Sequence, residues 1–121
     1  MKNYSERLTY LASLPDSWDN QGAKKPSTLS VTLMSNLLSQ IEEIPKFNLF
    51  LSPCDLYPSD GGIIAEWDFN NCSVSADTSD KGTYLHSVNR TNNDTIDEFF
   101  DSNDVPIEEL GDEFINFLKS L

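Results

Sequence analysis

The sequence predicts an α+β fold in which helices pack on a four-stranded antiparallel sheet. The first observation behind this prediction is the stretch 61–77, whose two halves mirror each other across a turn at Asn70-Asn71. Asparagine tolerates the positive φ angles that such turns need. With the turn placed there, Trp67 faces Val74 among apolar pairs, and polar residues face each other on the opposite side. A shift of one residue would expose Trp67 to water, so the stretch predicts a hairpin with one well-specified register.

The second observation is an apolar stripe at helical spacing in residues 27–44. Leucine, isoleucine and methionine recur there every three or four residues, which is typical of a helix that buries one side. Ser27 or Thr28 is suited to cap the first turn, and Pro45 ends the helix. We therefore expect one main helix that packs on one face of the sheet.

Shorter elements complete the predicted meander and its helices. A C-terminal helix is expected from about Pro106, with Leu121 at the end of its buried side. The acidic segment before it is broken by Ile96, Phe99 and Phe100, whose spacing predicts a short helical turn. The other predicted boundaries are 3–14 for a first helix, 47–52 and 83–88 for the two outer strands, and 53–62 for a loop.

Length and composition predict a single domain over residues 1–121, long enough to bury a core without metal or disulfide. Cys54 and Cys72 do not have the spacing of a zinc site. No apolar run approaches membrane length, and the first residues are not typical of a signal peptide. We therefore expect a cytoplasmic protein with reduced thiols and no membrane partner.

Charge is the most unusual property of the composition. Twenty acidic and eight basic residues give a net charge of −12 and a pI near 4.1. Residues 1–90 hold eleven acids and seven bases, whereas residues 91–121 hold nine acids and one base. A field of this sign repels nucleic acid and favours a basic protein partner.

Acidic residues recur every three or four positions in the C-terminal third, which on helical turns would form a continuous negative face. Such a face can cover the nucleic-acid-binding groove of another protein, because phosphates along DNA are also regularly spaced charges. The alternative is a solvated face that serves solubility. The candidate partner-binding residues are Asp94, Asp97, Glu98, Asp101, Asp104, Glu108, Glu109 and Asp112.

The residue pattern does not predict catalysis. His86 is the only histidine, lies in a predicted strand and has no nucleophile or metal-binding motif around it. Carboxylate pairs such as Asp16 with Asp19, or Asp60 with Glu66, are typical of turns and caps. We therefore expect a protein that is not an enzyme and uses no metal or cofactor.

Two segments form a pair of motifs. The first is W-D-x-x-G-A-x-x-P-S over residues 18–27, and the second is P-x-D-G-G-I-x-x-E-W over residues 58–67. Together they resemble a widespread group of small bacterial and phage proteins of unassigned activity. The resemblance covers about residues 8–88 and leaves the acidic end outside.

This chain departs from the pattern of that group at a few positions. Ser17 and Asn20 stand where glycine is usual, and Ser59 stands where proline is common. The resemblance implies an α/β sandwich-like domain that is sometimes encoded on mobile elements. It supplies no reaction and no catalytic residues.

These observations lead to one functional expectation and two alternatives. We expect a non-enzymatic acidic inhibitor or neutraliser of a basic, nucleic-acid-handling protein, of the immunity, antitoxin or phage anti-defence type, without direct contact to nucleic acid. The first alternative is a small enzyme or ligand-binding protein that uses loops 16–22 and 55–62, with Trp18, Asp19 and Asp60 as secondary candidates. The second is a structural accessory protein of a phage or bacterium. Partner identity and oligomeric state stay open.

Overall fold

The computed structural model describes residues 3–42, 55–69 and 71–121. In these residues, three α-helices pack on one face of a five-stranded antiparallel sheet. The elements are α1 (Asn3–Ala12), α2 (Thr28–Glu42), β1 (Asp55–Ser59), β2 (Gly62–Asp68), β3 (Cys72–Ser79), β4 (Gly82–Asn89), β5 (Thr95–Asp101), a 3₁₀ turn (Ile107–Glu109) and α3 (Leu110–Lys119). The strands lie side by side in chain order. The predicted α+β class and antiparallel meander are confirmed, but the sheet has five strands rather than four.

The predicted hairpin register is confirmed. Ala65 pairs with Ala76 and Trp67 pairs with Val74. The Phe69 N–H donates to the Cys72 carbonyl at 2.9 Å beside the turn. The pattern of apolar and polar faces thus determines the pairing of β2 with β3, as expected when one face is buried.

The first two helices begin where the sequence predicts, whereas α3 begins at Leu110, four residues after the predicted start at Pro106. The Ser27 hydroxyl accepts the Ser30 N–H at 3.1 Å and so caps α2, and α1 ends at Ala12 before Pro15. The C-terminal helix is preceded by the 3₁₀ turn after Pro106. The prediction that Leu121 is buried is wrong: it is 47% exposed, because α3 ends at Lys119.

Two strands replace segments that the sequence predicts differently. Residues 55–59 form β1 rather than part of a loop. Among the described strands β1 lies at an edge of the sheet, which explains why Pro58 is tolerated there. Residues 95–101 form β5 rather than a helical turn, because they pair with the free edge of β4. The predicted strand over 47–52 lies outside the described residues.

The core lies between α2 and the sheet. Trp67 is 1% exposed and contacts Phe114 of α3, with ring centroids 5.1 Å apart. Side chains of alternate strand residues, including Leu56, Ile63 and Leu85, point into the same core. The helices therefore cover one face of the sheet, and the residues between these positions form its other face.

Candidate functional site

The candidate site is the sheet face opposite the helices, which we call the open face. In register across the five strands lie Asp55, Glu66, Ser75, His86 and Asp97, one from each strand. Within the described part of the chain, no helix packs on this face. The open face consists of Asp55, Tyr57, Ile64, Glu66, Asp68, Ser73, Ser75, Asp77, Tyr84, His86, Val88, Thr95, Asp97, Phe99 and Asp101.

The open face carries a strong excess of negative charge. Six of the seven acidic residues in the five described strands lie on it, and only Glu98 falls on the helix-covered side. These five strands contain no lysine or arginine. Asp55 and Glu66 are directly opposite each other on neighbouring strands, which lie about 4.8 Å apart. The other four carboxylates are opposite residues that are not acidic.

A depression of about 380 Å³ lies within this array. The side chains of Asp55, Glu66 and Asp68 line it, together with the His86 ring. Asp68 is paired with Arg90, which follows β4 and also donates a hydrogen bond to the Phe69 carbonyl. The depression therefore has three carboxylates in its lining, of which Asp68 already has a cationic partner.

The Tyr57 phenol lies among the carboxylates of the open face. Burial and the hydrogen bond to Glu66, together with the charges of Glu66, Asp77 and Asp55, raise the pKa of Tyr57 to about 12. Burial also raises the pKa of the Asp77 carboxyl. The neutral phenol is therefore a donor held against a negatively charged surface.

A second group of polar side chains joins β4 to β5. The Tyr84 hydroxyl donates to Asp97 Oδ1, and the His86 Nδ1 contacts the same oxygen. The bond to His86, followed by the bond from Tyr84, lowers the pKa of the Asp97 carboxyl, and the bond to Asp97 raises the pKa of the Tyr84 phenol. Asp97 therefore stays charged at neutral pH and fixes both rings.

Aromatic rings are exposed beside these charges. Phe99 is 53% exposed and Tyr84, its partner in register, is 39% exposed. Tyr84 also stacks on His86, with ring centroids 6.2 Å apart. Exposed aromatic side chains flanked by polar groups are typical of protein-binding surfaces.

The structure does not bring the predicted acidic residues onto one helical face. Asp97 and Asp101 are on the open face, whereas Glu98 lies on the other side of the same strand. The predicted helical face does not form in residues 95–101, because they are a strand whose side chains alternate between the two faces of the sheet. The remaining candidates lie elsewhere: Asp94 in the turn before β5, Asp104 after β5, Glu108 and Glu109 in the 3₁₀ turn, and Asp112 in α3.

The two sequence motifs meet in space. The Asp60 carboxylate accepts the Lys24 backbone N–H at 2.7 Å, and the Gly61 N–H donates to the Lys24 carbonyl at 3.0 Å. The Ser27 N–H donates to the Gly61 carbonyl at 3.1 Å, and the Trp18 indole N–H donates to the Lys24 carbonyl at 3.0 Å. These bonds fix the α1–α2 connection on the β1–β2 turn.

The secondary candidates thus have partners within the fold. Asp19 Oδ1 accepts the backbone N–H groups of Gln21 and Ala23 at 2.8 and 3.1 Å. Trp18 is half-buried, and Asp60 accepts a hydrogen bond from the backbone N–H of Lys24. Their contacts are those of residues that stabilise loops.

Backbone geometry explains the glycine positions of the motifs. Gly61 has a φ of +83°, and a Cβ on Gly62 would lie 2.2 Å from the Thr78 carbonyl oxygen. Ser17 and Asn20, which stand where glycine is usual, have φ angles of 60° and 62°. Glycine adopts such angles without steric cost, so the pattern follows from the backbone of the loop.

A second cavity of about 380 Å³ lies beside the joined motifs. Lys24, Lys25 and Lys81 line it, and so do Asp60 and Asp80. These three lysines are a large part of the eight basic residues of the chain. Several bases therefore gather around this concave surface, together with two carboxylates.

Two further properties apply to residues 3–42, 55–69 and 71–121. No group of three or more His, Cys, Asp or Glu side chains among them is arranged to hold a metal ion. None of the helices formed by these residues is both long and apolar enough to cross a membrane.

Comparison of the chain with protein-family models, with curated proteins and with solved structures finds no match. The function must therefore be inferred from the surface itself.

Proposed function

We propose that this protein is a non-enzymatic, cytoplasmic binding protein that covers the nucleic-acid-binding surface of a basic partner. The partner class is a toxin, nuclease or defence protein, and the action is that of an immunity protein, antitoxin or phage inhibitor. The observation that supports this most directly is the open face: six acidic residues and exposed aromatic rings on one sheet face, whose strands carry no lysine or arginine. The paired motifs are compatible with an origin among small bacterial and phage proteins.

The physical basis is competition for the same positive surface. DNA presents one negative charge per about 1.7 Å of helix axis, and proteins that bind it line their grooves with lysine and arginine. A sheet face that carries six carboxylates offers those cations alternative partners. The depression between Asp55, Glu66 and Asp68 is suited to receive one such side chain.

The aromatic rings add what charge alone does not supply. Surface ion pairs contribute only about 0–1 kcal/mol each, since both partners are well solvated. Tyr84 and Phe99 offer apolar area beside Asp97, and the bond from Tyr84 to Asp97 holds one ring in place. Interfaces of this kind gain most of their affinity from a few fixed aromatic and arginine side chains.

The experiment uses a partner captured on the immobilised protein at low salt, about 50 mM, and then purified. Displacement of labelled DNA or RNA from that partner is followed by fluorescence anisotropy. We expect the protein to displace the nucleic acid. Neutralising the open face with Glu66→Gln and Asp77→Asn should raise the concentration needed by about tenfold or more, equivalent to about 1.4 kcal/mol.

The matched control is Glu108→Gln with Asp112→Asn, which removes the same charge from the C-terminal part of the chain. We expect this variant to act like wild type. If both variants lose the same activity, total charge rather than the open face is responsible. If the wild type leaves the nucleic acid bound, the proposed function is wrong.

One observation favours a second function. Lys24, Lys25 and Lys81 surround a cavity where the two motif loops meet, which fits a small anionic ligand. Calorimetric titration with inorganic phosphate and with a nucleoside triphosphate tests it. Binding that is lost in Lys24→Gln with Lys81→Gln, and kept in Lys119→Gln, would make ligand binding the better description.

A further inference from the structure

We propose that the outer edge of β5 binds an extended, positively charged segment of the partner protein as a sixth strand of the sheet. This inference rests on the proposed function and specifies how the partner is held. It concerns the edge of the sheet, whereas the proposed function concerns the open face.

Hydrogen bonds at both ends of the β4–β5 pair establish which groups of β5 face outward. The Asn89 N–H donates to the Asp94 carbonyl at 2.8 Å, and the Ser102 N–H donates to the Lys81 carbonyl at 3.1 Å. Both bonds join residues that are directly opposite in the register of the two strands. In an antiparallel pair, such bonded positions alternate with positions whose N–H and C=O groups point away from the partner strand.

The alternation assigns two roles within β5. Ile96, Glu98 and Phe100 stand at positions bonded to β4, whereas Thr95 and Phe99, with Asp97 between them, present their backbone groups outward. In the described part of the chain, no strand lies beyond β5. An unpaired strand edge is a template for pairing with another chain.

The opposite edge of the sheet lacks these properties. Pro58 in the middle of β1 has no backbone N–H to donate. Arg7 Nε donates to the Leu56 carbonyl at 2.8 Å, and α1 packs against this strand. The edge of β1 is therefore blocked, and β5 is the edge at which an added strand fits.

Charge identifies the occupant of the β5 edge. The strand carries Asp97, Glu98 and Asp101 and no basic residue. Pairing of two copies of this strand would bring six carboxylates together, and like charges on adjacent strands are destabilising. A segment rich in lysine or arginine would instead be attracted by these carboxylates, which lie on both faces of β5.

Acidic residues on an edge strand can also serve to prevent aggregation. Here, however, apolar side chains are exposed among them: Ile96 is 37% exposed and Phe99 is 53% exposed. The strand has seven residues and contains no proline, glycine or lysine. It is long enough to pair with a partner strand, and its acidic side chains repel another acidic strand without excluding a basic one.

The test uses a synthetic peptide of about eight alternating lysine and valine residues, a common length for a strand, and isotope-labelled full-length protein. Hydrogen exchange is followed by nuclear magnetic resonance. The amides of Thr95, Asp97 and Phe99 should gain protection when the peptide binds, whereas the amides of Ile96 and Glu98 should change little because they already bond to β4. A peptide with glutamate in place of lysine should not bind.

Two controls separate backbone pairing from simple charge attraction. A lysine–valine peptide with N-methyl groups on one edge keeps its charge but loses two or more hydrogen bonds, so its affinity should fall by about tenfold or more. In the protein, Phe99→Pro should weaken binding more than Phe99→Ala, because both remove the ring but only proline removes the outward N–H. Thr95→Pro against Thr95→Ala repeats the comparison at the other end of the strand.

The outcomes distinguish this inference from the proposed function. Binding that protects none of the three outward amides, with equal affinity for the N-methylated peptide, overturns strand addition and leaves binding at the open face intact. Absence of peptide binding also overturns strand addition. Protection of the β5 edge without displacement of nucleic acid from a partner overturns the proposed function and leaves the edge as a binding site.

Discussion

At the scale of single residues, the open face is defined by how its polar groups hold one another. Asp97 accepts from Tyr84 and contacts His86, while the Tyr57 phenol is held among Glu66, Asp77 and Asp55. Each tyrosine donates to a carboxylate that is already negative. These hydrogen bonds orient the two tyrosine rings, and the lowered pKa of the Asp97 carboxyl keeps that residue charged at neutral pH.

The first prediction concerns the alkaline stability of the protein. The folded state raises the pKa of Tyr57 from 10.0 to about 12, so it holds this proton more tightly than the unfolded chain does. The associated stability is fully present below about pH 10 and is lost as the pH rises towards 12. We expect Tyr57→Phe to lose less free energy of unfolding than wild type over this range, as measured by urea melts at several pH values.

The matched control for this prediction is Tyr10→Phe, since Tyr10 lies on α1 and is 54% exposed. Glu66→Gln should lower the pKa of Tyr57, which ultraviolet absorbance detects directly. If the free energy of unfolding of Tyr57→Phe falls between pH 10 and 12 by as much as that of wild type, the carboxylate surroundings of this phenol are contradicted.

At the scale of elements, the sequence predicts best those parts whose pattern is decided by burial. The β2–β3 hairpin and α2 each have one apolar side. The predicted register of the hairpin and the predicted cap of α2 at Ser27 are both confirmed. The sequence does not predict strands β1 and β5. In β1, proline and aspartate are typical of a loop, and in β5 the spacing of the apolar residues is typical of a helix. Their structure comes from pairing with a neighbour, and tertiary contacts of this kind override local preference.

The same limit applies to the candidate site. Glu66 and Asp68 could be assigned to the polar side of the hairpin from sequence, since their partners are serines. The positions of Asp55 and Asp97 in the same row across the sheet could not be predicted, because they depend on β1 and β5, which the sequence does not predict as strands. No local signal in the sequence places these residues on one face.

A second element-scale feature is the connection between α2 and the C-terminal part of the chain. Gln40 Oε1 accepts the Gly111 N–H, and its Nε2 donates to the carbonyls of Ile107 and Glu108. A Cβ on Gly111 would lie 2.4 Å from the Gln40 Cβ, so glycine permits this approach. In the sequence, Gln40 lies off the apolar stripe of residues 27–44, and nothing local indicates these bonds.

The second prediction is that Gln40→Ala destabilises the protein by about 1–3 kcal/mol, because backbone groups of the 3₁₀ turn and α3 lose their partner. Chemical denaturation followed by circular dichroism measures the change. Asn36→Ala is the control, as Asn36 lies one turn earlier on α2 and bonds within that helix, to the Thr32 carbonyl. A cost for Gln40→Ala no larger than that of the control would mean that α3 is held by apolar contacts alone.

At the scale of the whole molecule, charge is divided between two regions with different surroundings. The open face gathers its acids on a sheet with exposed rings, whereas Glu108, Glu109 and Asp112 lie in or beside the first turn of α3. Acidic residues near a helix N-terminus are favourable for the helix itself. The net charge of −12 thus combines one region suited to binding with another that stabilises local structure.

The last prediction compares these regions at equal total charge. Neutralising Asp55, Glu66 and Asp97 changes the net charge from −12 to −9, and so does neutralising Glu108, Glu109 and Asp112. Electrostatic steering raises association rates by about 10–1,000-fold and depends on where the charge lies as well as on its total. With a partner captured on the immobilised protein, we expect the open-face variant to associate about tenfold more slowly than the C-terminal variant at low salt. At about 0.5 M salt the rates should converge, because screening shortens the range of the field to a few ångströms. Stopped-flow fluorescence measures both rates, and circular dichroism verifies that each variant is folded. Equal rates for the two variants at low salt would mean that only the total charge matters, and the open face would then have no special part in the encounter.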